Sequence, residues 1–339
     1  MRPHEHYMAR AIELARCGEP YAHPNPLVGA VIVNASGDIL AEAYHRRCGE
    51  AHAEVNAVRM LDSKYPGIDT GNLTIYVSLE PCAHYGRTPP CAEMLARRGF
   101  GRVVIGTLDP FARVNGRGAA ILRNSGAEVI TGVMENECRA LNRRFFIAHT
   151  HRRPYIMLKW AQSADGYIDA RRTVAHPGPY AFSSSLSRTL THQLRTRFDA
   201  IAVGANTVRC DRPQLDTRFW PGPVPRPVIF GNERCAEGLP LCDRQPVFID
   251  GARTAEDLSV ALAALYASGI ASLLVEGGAG LLQSFISAGL WDDLRIETSP
   301  IRLGAGGSVR APEIPADATF KTVCILTGRR IAFYSNPQS

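Results

Sequence analysis

The apolar positions of the first 150 residues repeat in two rhythms, one helical and one strand-like. Within residues 5–16, Met8, Ile12 and either Ala11 or Ala15 recur at three- and four-residue steps, the spacing of one helix face. Residues 28–33 form an unbroken apolar run closed by Asn34-Ala35-Ser36-Gly37-Asp38, which predicts a buried strand followed by a turn. Residues 39–44 suit its hairpin partner. Helical patterns follow at 53–61, 91–98 and 118–124, and strand patterns at 73–79, 102–106 and 128–131. Such a succession predicts a layered α/β domain. It is expected to close at a polar, basic connection near residues 146–152.

The pattern then restarts. Strands are expected at 155–160, 200–203, 228–230, 247–249 and 271–275, and helices at 187–196, 257–267 and 280–288. Loops rich in Pro, Gly or Ser fall at 171–185 and 212–227, and short strands split by a Gly-rich loop at 304–307 complete the chain. A length of 339 residues exceeds one comfortable hydrophobic core, so two α/β domains are expected, 1–148 and 149–339.

Composition narrows the function classes. The longest apolar runs, such as residues 27–33, are far too short to span a bilayer, so no membrane partner is expected. The first residues lack the apolar core of a secretory signal. The net charge of +6 is spread evenly, with 17 basic and 15 acidic residues in 1–150 and 21 and 17 afterwards. That is a weak case for nucleic acid and a compatible one for phosphorylated small molecules. Nine cysteines, an odd number, suit a reduced, cytoplasmic compartment better than a disulfide framework. Seven of them show no metal-ligand spacing.

The other two belong to the decisive constellation. His52-Ala53-Glu54 opens one predicted helix, Pro81-Cys82 ends a buried strand, and Cys91 opens the next helix. One imidazole and two thiolates are three ligands, which leaves a fourth tetrahedral position open, as in catalytic zinc sites. Glu54 stands close enough to move protons without being a ligand. His-x-Glu joined to Pro-Cys is the signature of zinc deaminases of nucleobases. Neither half is specific alone; their combination with these predicted elements is. The usual cysteine pair encloses two residues, whereas eight lie between Cys82 and Cys91. That insert is expected to loop beside the metal and touch substrate.

The insert also carries a resemblance. Glu80-Pro81-Cys82-Ala83-His84-Tyr85-Gly86-Arg87-Thr88-Pro89-Pro90-Cys91, with Pro24-Asn25-Pro26-Leu27-Val28-Gly29 upstream, resembles the bifunctional deaminase/reductase family of riboflavin biosynthesis. Lys159-Trp160-Ala161-Gln162-Ser163-Ala164-Asp165-Gly166, Asp211-Arg212-Pro213-Gln214-Leu215 and Leu274-Val275-Glu276-Gly277-Gly278 extend it over nearly the whole chain. The resemblance implies a cytidine-deaminase-like three-layer domain followed by a dihydrofolate-reductase-like α/β domain. It implies one Zn2+ on His52, Cys82 and Cys91 with Glu54 as proton shuttle, and NADPH in the second domain. The implied reactions are hydrolytic loss of the C2 amine of 2,5-diamino-6-(5-phosphoribosylamino)pyrimidin-4(3H)-one, then reduction of its ribosyl C1′ to a ribityl chain. Asn25, His84 and Arg87 look like substrate contacts in the first domain, with loop stabilisation as the other reading of each. In the second, Arg195, Leu215, Arg218 and Glu276 would face substrate. Ala161, Thr207, Asp211 and the run Gly278, Ala279, Gly280, Leu281, Leu282, Gln283, Ser284 would line NADPH. On its own, Gly278-Ala279-Gly280 also reads as a generic strand-to-helix turn, because Gln283 replaces the last glycine of a full G-x-G-x-x-G.

Some positions depart from the family pattern. Pro179-Tyr180-Ala181-Phe182-Ser183 replaces a Ser-x-Trp-Ile-Thr stretch, Arg212 interrupts an Asp-Asp-Pro, Gly231 stands where a serine is usual, and Asp109-Pro110-Phe111-Ala112 replaces Asp-Pro-Asn-Pro. They leave open a weak reductase. The alternative functions are a zinc deaminase of another base or of RNA with a differently employed second half, and a non-catalytic zinc scaffold. A homodimer or larger closed assembly is expected.

Overall fold

A computed structural model of the chain describes residues 3–85, 89–110, 116–173, 178–252 and 254–339. Among these residues the chain forms two compact units, 1–151 and 152–339.

The first unit runs α1 (Pro3–Arg16), β1 (Gly29–Val33), β2 (Ile39–Tyr44), α2 (Ala53–Lys64), β3 (Thr74–Leu79), α3 (Cys91–Arg98), β4 (Arg102–Thr107), α4 (Arg117–Asn124), β5 (Glu128–Thr131), α5 (Glu135–Leu141) and α6 (Arg143–His151). Its sheet has the order β2-β1-β3-β4-β5. β1 is antiparallel to both neighbours, and β3, β4 and β5 are parallel. Successive residues of β1 enter opposite cores: Ala30 and Ile32 pack with Ala57, Leu61 and Leu95, whereas Val31 and Val33 pack with Met8, Ala11 and Ile12. Helices on both faces explain why these strands are continuous apolar runs rather than alternating ones. Each fully buried aliphatic side chain contributes roughly 1.5–3 kcal/mol. α1 lies so close to β1 that a Cβ on Gly29 would stand 2.0 Å from the Ala11 carbonyl oxygen, so only glycine serves there. The basic stretch near the expected boundary is helical. α6 buries Phe146, Ile147 and Ala148, and it carries the first unit through His151.

The second unit runs β6 (Tyr155–Gln162), β7 (Tyr167–Ala170), α7 (Ser185–Arg195), β8 (Ala200–Gly204), α8 (Ala205–Asp211), β9 (Arg226–Phe230), β10 (Val247–Ile249), α9 (Ala255–Ala267), β11 (Ser272–Val275), α10 (Ala279–Ser287), β12 (Asp293–Thr298), β13 (Gly307–Arg310), β14 (Thr319–Leu326) and β15 (Arg329–Ser335). The main sheet has the order β10-β9-β8-β11-β6-β12-β15-β14. It is parallel from β10 to β12, and β15 and β14 close it as an antiparallel hairpin. Ile156, Leu158, Leu273, Val275 and Leu294 pack on α9 and α10; Ile201, Val203 and Ile229 form a second core on the other face. α9 starts at a capping box, Thr254 and Asp257 each accepting the other's backbone N–H. The short strands expected after residue 293 are in part a long hairpin. Thr327 and Gly328, both with positive φ, make its two-residue turn.

Candidate functional site

Two helix starts and a strand end converge in the first unit. His52 caps α2, Cys91 is the first residue of α3, and Cys82 lies just past β3. His52 Nδ1 stands 3.6 Å from Cys82 Sγ and 3.4 Å from Cys91 Sγ, and the Cys91 backbone N–H donates to Cys82 Sγ at 3.3 Å. Among the described residues, these three side chains form the group of metal-ligand type, its donor atoms all within 4.8 Å of one another. Two sulfurs so close compete for one negative charge. Hydrogen bonding with Cys91 draws the Cys82 thiol down to about 4, and the same contact, with burial, drives Cys91 up. A cation seated between them lets both be thiolates, and one nitrogen with two sulfurs suits Zn2+ with a fourth position open. Glu54, in the first turn of α2, is 3% exposed. Its Oε2 has no hydrogen-bond partner among the described residues, and burial lifts its carboxyl to about 7.

Beside this cluster Asn25 Nδ2 lies 3.1 Å from His45 Nε2, and His45 Nδ1 lies 3.1 Å from the Ala51 carbonyl oxygen. With its proton on Nδ1, His45 satisfies both contacts. Its ring meets that of His52 edge-on at 5.4 Å. His45 was not legible as a site residue, because it follows β2 as a lone histidine outside any motif. Glu80 was missed as well. Its buried carboxylate accepts the backbone N–H groups of Asp109, Gly116 and Ala119, which fixes the chain around α4 next to Pro81-Cys82. A glutamate directly before Pro-Cys was the available signal. His84 is exposed, and Tyr85 donates to Glu93 at 2.6 Å. Arg87 lies outside the described residues.

In the second unit the expected residues gather at the carboxyl ends of the parallel strands, where open α/β sheets bind ligands. Glu276 follows β11 and is buried in a bidentate pair with Arg195 at the end of α7, at 2.9 and 2.7 Å. Lys159 of β6 stands 4.0 Å away. Burial alone would raise the Glu276 carboxyl, yet the charges of Arg195 and Lys159 hold it at about 2. Arg195 Nη1 donates to the Asp216 carbonyl oxygen at 2.8 Å, and Arg218 pairs with the Asp216 carboxylate at 2.5 Å. The loop carrying Arg218 therefore does return to α7.

The expected cofactor positions divide. Gly278, at φ +67°, caps α10, and a Cβ there would stand 3.1 Å from Thr207 Oγ1. A Cβ on Gly277 would strike Val203 at 2.7 Å. These glycines bring bare backbone and a helix start against α8, a cradle suited to a dinucleotide phosphate. Asp211 is held by Arg172 at 2.5 Å, and Ala161 is in register with Glu297. Leu282 and Leu215 are core residues, 1% and 3% exposed. Gln283 accepts from the Glu313 N–H, and Ser284 bonds back to Gly280 within the helix. The departure at Gly231 has a steric cause: φ is +157°, and a Cβ would stand 2.4 Å from that of Ala205. Arg212 adopts a left-handed conformation as the cap of α8, and Ala181 is exposed.

Residues 1–107 match the model of the cytidine and deoxycytidylate deaminase zinc-binding region, and residues 154–327 match that of the RibD C-terminal domain. The chain is 38% identical over 331 residues to the riboflavin biosynthesis protein RibD of Aquifex aeolicus, covering 90% of this chain and 89% of that protein. It is 35% identical over 335 residues to the RibD of Escherichia coli, covering 89% of each. A crystal structure from Thermotoga maritima, described as a diaminohydroxyphosphoribosylaminopyrimidine deaminase/5-amino-6-(5-phosphoribosylamino)uracil reductase, superposes with a TM-score of 0.84 at 32% identity, over 98% of this chain and 99% of that one. Acinetobacter baumannii RibD gives 0.85 at 30% identity over the same shares. A chain whose first unit holds a zinc-deaminase cluster and whose second pairs with RibD reductases from end to end belongs to the RibD family of bifunctional deaminase/reductases in riboflavin biosynthesis.

Proposed function

We propose that the first unit removes the C2 amine of 2,5-diamino-6-(5-phosphoribosylamino)pyrimidin-4(3H)-one, and that the second reduces the ribosyl group of the product with NADPH. The observation that carries the deaminase reading is the buried Glu54 carboxyl, its Oε2 without a partner among the described residues, beside three zinc-type ligands. His52, Cys82 and Cys91 would hold the Zn2+, which when bound supplies a Lewis acid that activates water at neutral pH. Glu54 would take a proton from the attacking water and deliver protons to the ring nitrogen and the departing ammonia. Its place in the first turn of α2, two residues from His52, puts it beside the ligands without making it one. Asn25, oriented by His45, and His84 and Arg87 of the insert are assigned to substrate.

In the second unit, NADPH when bound would supply the hydride for C1′. Gly278, Ala279 and Gly280 would present backbone N–H groups to its phosphates, with Thr207, Ala161, Asp211 and residues 281–284 around them. Glu276, Arg195, Leu215 and Arg218 are assigned to the substrate side. Arg195 orients the Glu276 carboxylate in a bidentate clamp, and charge assistance makes that clamp stiff.

No helix among the described residues is long and apolar enough to cross a membrane. Nine free cysteines support a cytoplasmic location. An assembly of identical chains is supported by β14, an edge strand that exposes Phe320, Val323 and Ile325, the kind of edge monomers avoid. The test of the whole reading is ammonia release from the diaminopyrimidinone phosphate, lost on zinc chelation and restored by added Zn2+. Ammonia release indifferent to the metal would overturn it.

A further inference from the structure

Three adjacent strands of the second unit place a charged side chain at the same level of the sheet. Val275 of β11 stands opposite Leu158 of β6, so Glu276 and Lys159 follow side by side, and Lys159 stands opposite Arg295 of β12. Leu294 and Ile296 enter the core shared with α9 and α10, so Arg295 and Glu297 point to the other face. α7 covers that face. Glu297 accepts from Ser183 and Ser187 at the start of the helix, and Glu276 accepts from Arg195 at its end. The row Glu276, Lys159, Arg295 therefore lies on the side of the sheet where the expected substrate residues gather.

These groups are unequally engaged. Both Glu276 oxygens accept from Arg195, and Lys159 stands 4.0 Å from the same carboxylate. Glu297 Oε1 accepts from Ser187 at 2.6 Å, its Oε2 accepts from Ser183 at 3.0 Å, and Arg329 Nε lies 3.8 Å from Oε1. Arg295 is the exception. It is 4% exposed, and its Nη1 is buried with no hydrogen-bond partner among the described residues. Glu297 and Glu276 are near enough to act on its charge, yet the oxygens of both are committed to other donors. A buried donor left unmatched costs about as much as a lost hydrogen bond, unless a ligand completes it.

We propose that Arg295 is the residue by which the reductase unit recognises a deaminated ring: its guanidinium donates to the C2 carbonyl oxygen that replaces the C2 amine. This rests on the reductase reading above, in which the two units act in succession. The two forms of the ring differ at C2, which carries a hydrogen-bond donor before deamination and an acceptor after it. A group that only donates tells them apart, whereas a hydroxyl would serve both. Of the cationic donors at this level, Arg195 and Lys159 are committed to Glu276, which leaves Arg295. With no protein bond at Nη1, the guanidinium turns toward a ligand without giving one up. Facing an amine, the same donors would meet N–H groups and stay unmatched in a low-dielectric interior. A site built for one polar group rejects another in this way. A guanidinium also keeps its charge at every working pH, so it does not adapt by losing a proton.

The test uses the full-length protein carrying Glu54→Gln, so that the C2 amine survives, with the absence of ammonia release as the check. NADPH oxidation is followed with the deaminated phosphoribosylaminouracil and with the diaminopyrimidinone phosphate that still carries its amine. This parent should favour the deaminated compound in kcat/KM by about 10²-fold or more. Arg295→Met keeps the length and the apolar stem but removes the donors. It should lower kcat/KM for the deaminated compound about 10–100-fold, the loss of a charge-assisted hydrogen bond, and should not lower it for the aminated one. Arg295→Lys should recover part of the preference. Because the orphan nitrogen holds nothing in the protein, Arg295→Met should unfold at no lower denaturant concentration than the parent. Equal losses on the two compounds, an unaltered preference, a parent that reduces both alike, or a marked loss of stability in Arg295→Met would overturn the assignment. A parent that reduces neither compound would instead defeat the reductase reading itself.

Discussion

The deaminase site is drawn from one short stretch of chain, His52 to Cys91, with Asn25 and His45 beside it, whereas the reductase site draws on β6, α7, α8, β11 and the loop after α8. In the first, chemistry is concentrated in groups that cannot be satisfied by protein alone: two sulfurs sharing one charge and a carboxyl with an orphan oxygen. In the second, most charged groups already have partners, and catalysis is a matter of placement: Glu276 clamped by Arg195, glycines opening a cradle against Thr207. Substitutions should accordingly fail abruptly in the first unit and by degrees in the second.

The largest effect is expected for Cys82→Ser, which should lose zinc and deamination together, because a serine hydroxyl stays protonated where a thiolate ligand is needed. Elemental analysis with an ammonia assay checks it; full zinc occupancy in the variant would remove Cys82 from the ligand set. Glu54→Gln should keep both zinc and fold yet slow deamination by about 10²–10⁴-fold, since only proton transfer is removed. Near-normal ammonia release would rule Glu54 out as the shuttle.

In the second unit Arg195→Leu should be the costliest change. It strands the buried Glu276 carboxylate, at about 3–5 kcal/mol by the usual measure of a broken buried pair, readable in chemical denaturation. The same pair sets an acid dependence. The Glu276 carboxyl falls from 4.5 to about 2 on folding, so its stabilisation is complete above 4.5 and is lost as pH falls toward 2. In Arg195→Leu this loss on acidification should shrink or reverse, because burial raises the carboxyl once its main partner is gone, and an unchanged acid limb would show the pair to be unimportant. The smallest effect is expected for Gly231→Ser. Restoring the family's usual serine should destabilise by about 1–3 kcal/mol, because its Cβ overlaps that of Ala205. A variant with an undiminished melting temperature would show that the neighbouring backbone yields easily.

The same contrast governs what could be read from the sequence. β2, α3, β5 and β10 fall at the expected limits, because period and turn residues agree there. The zinc ligands could be read because His-x-Glu and Pro-Cys sit at element ends, where side chains project from fixed backbone. α6 was read as a connection because its basic residues outweigh Phe146 and Ile147 locally, although their burial is what holds the helix. α8 lay hidden in Asn206-Thr207-Val208, which has weak helix propensity and is held by its packing beside β8. The reductase residues came through the resemblance, since no short pattern joins Lys159, Arg195 and Glu276 across so much chain. Among them Leu215 and Leu282 are buried in the two cores of the second unit.

The central claim, two successive chemistries on one chain, is tested most directly by mass spectrometry of products from the diaminopyrimidinone phosphate, incubated with the zinc-loaded protein with and without NADPH. Without NADPH the expected product has exchanged its C2 amine for oxygen and kept the ribosyl ring. With NADPH the same product should also gain two hydrogens, at C1′ and the ring oxygen released from it. Reduction of substrate that still carries its amine, or a deaminated product that never gains hydrogen when NADPH is supplied, would contradict the account.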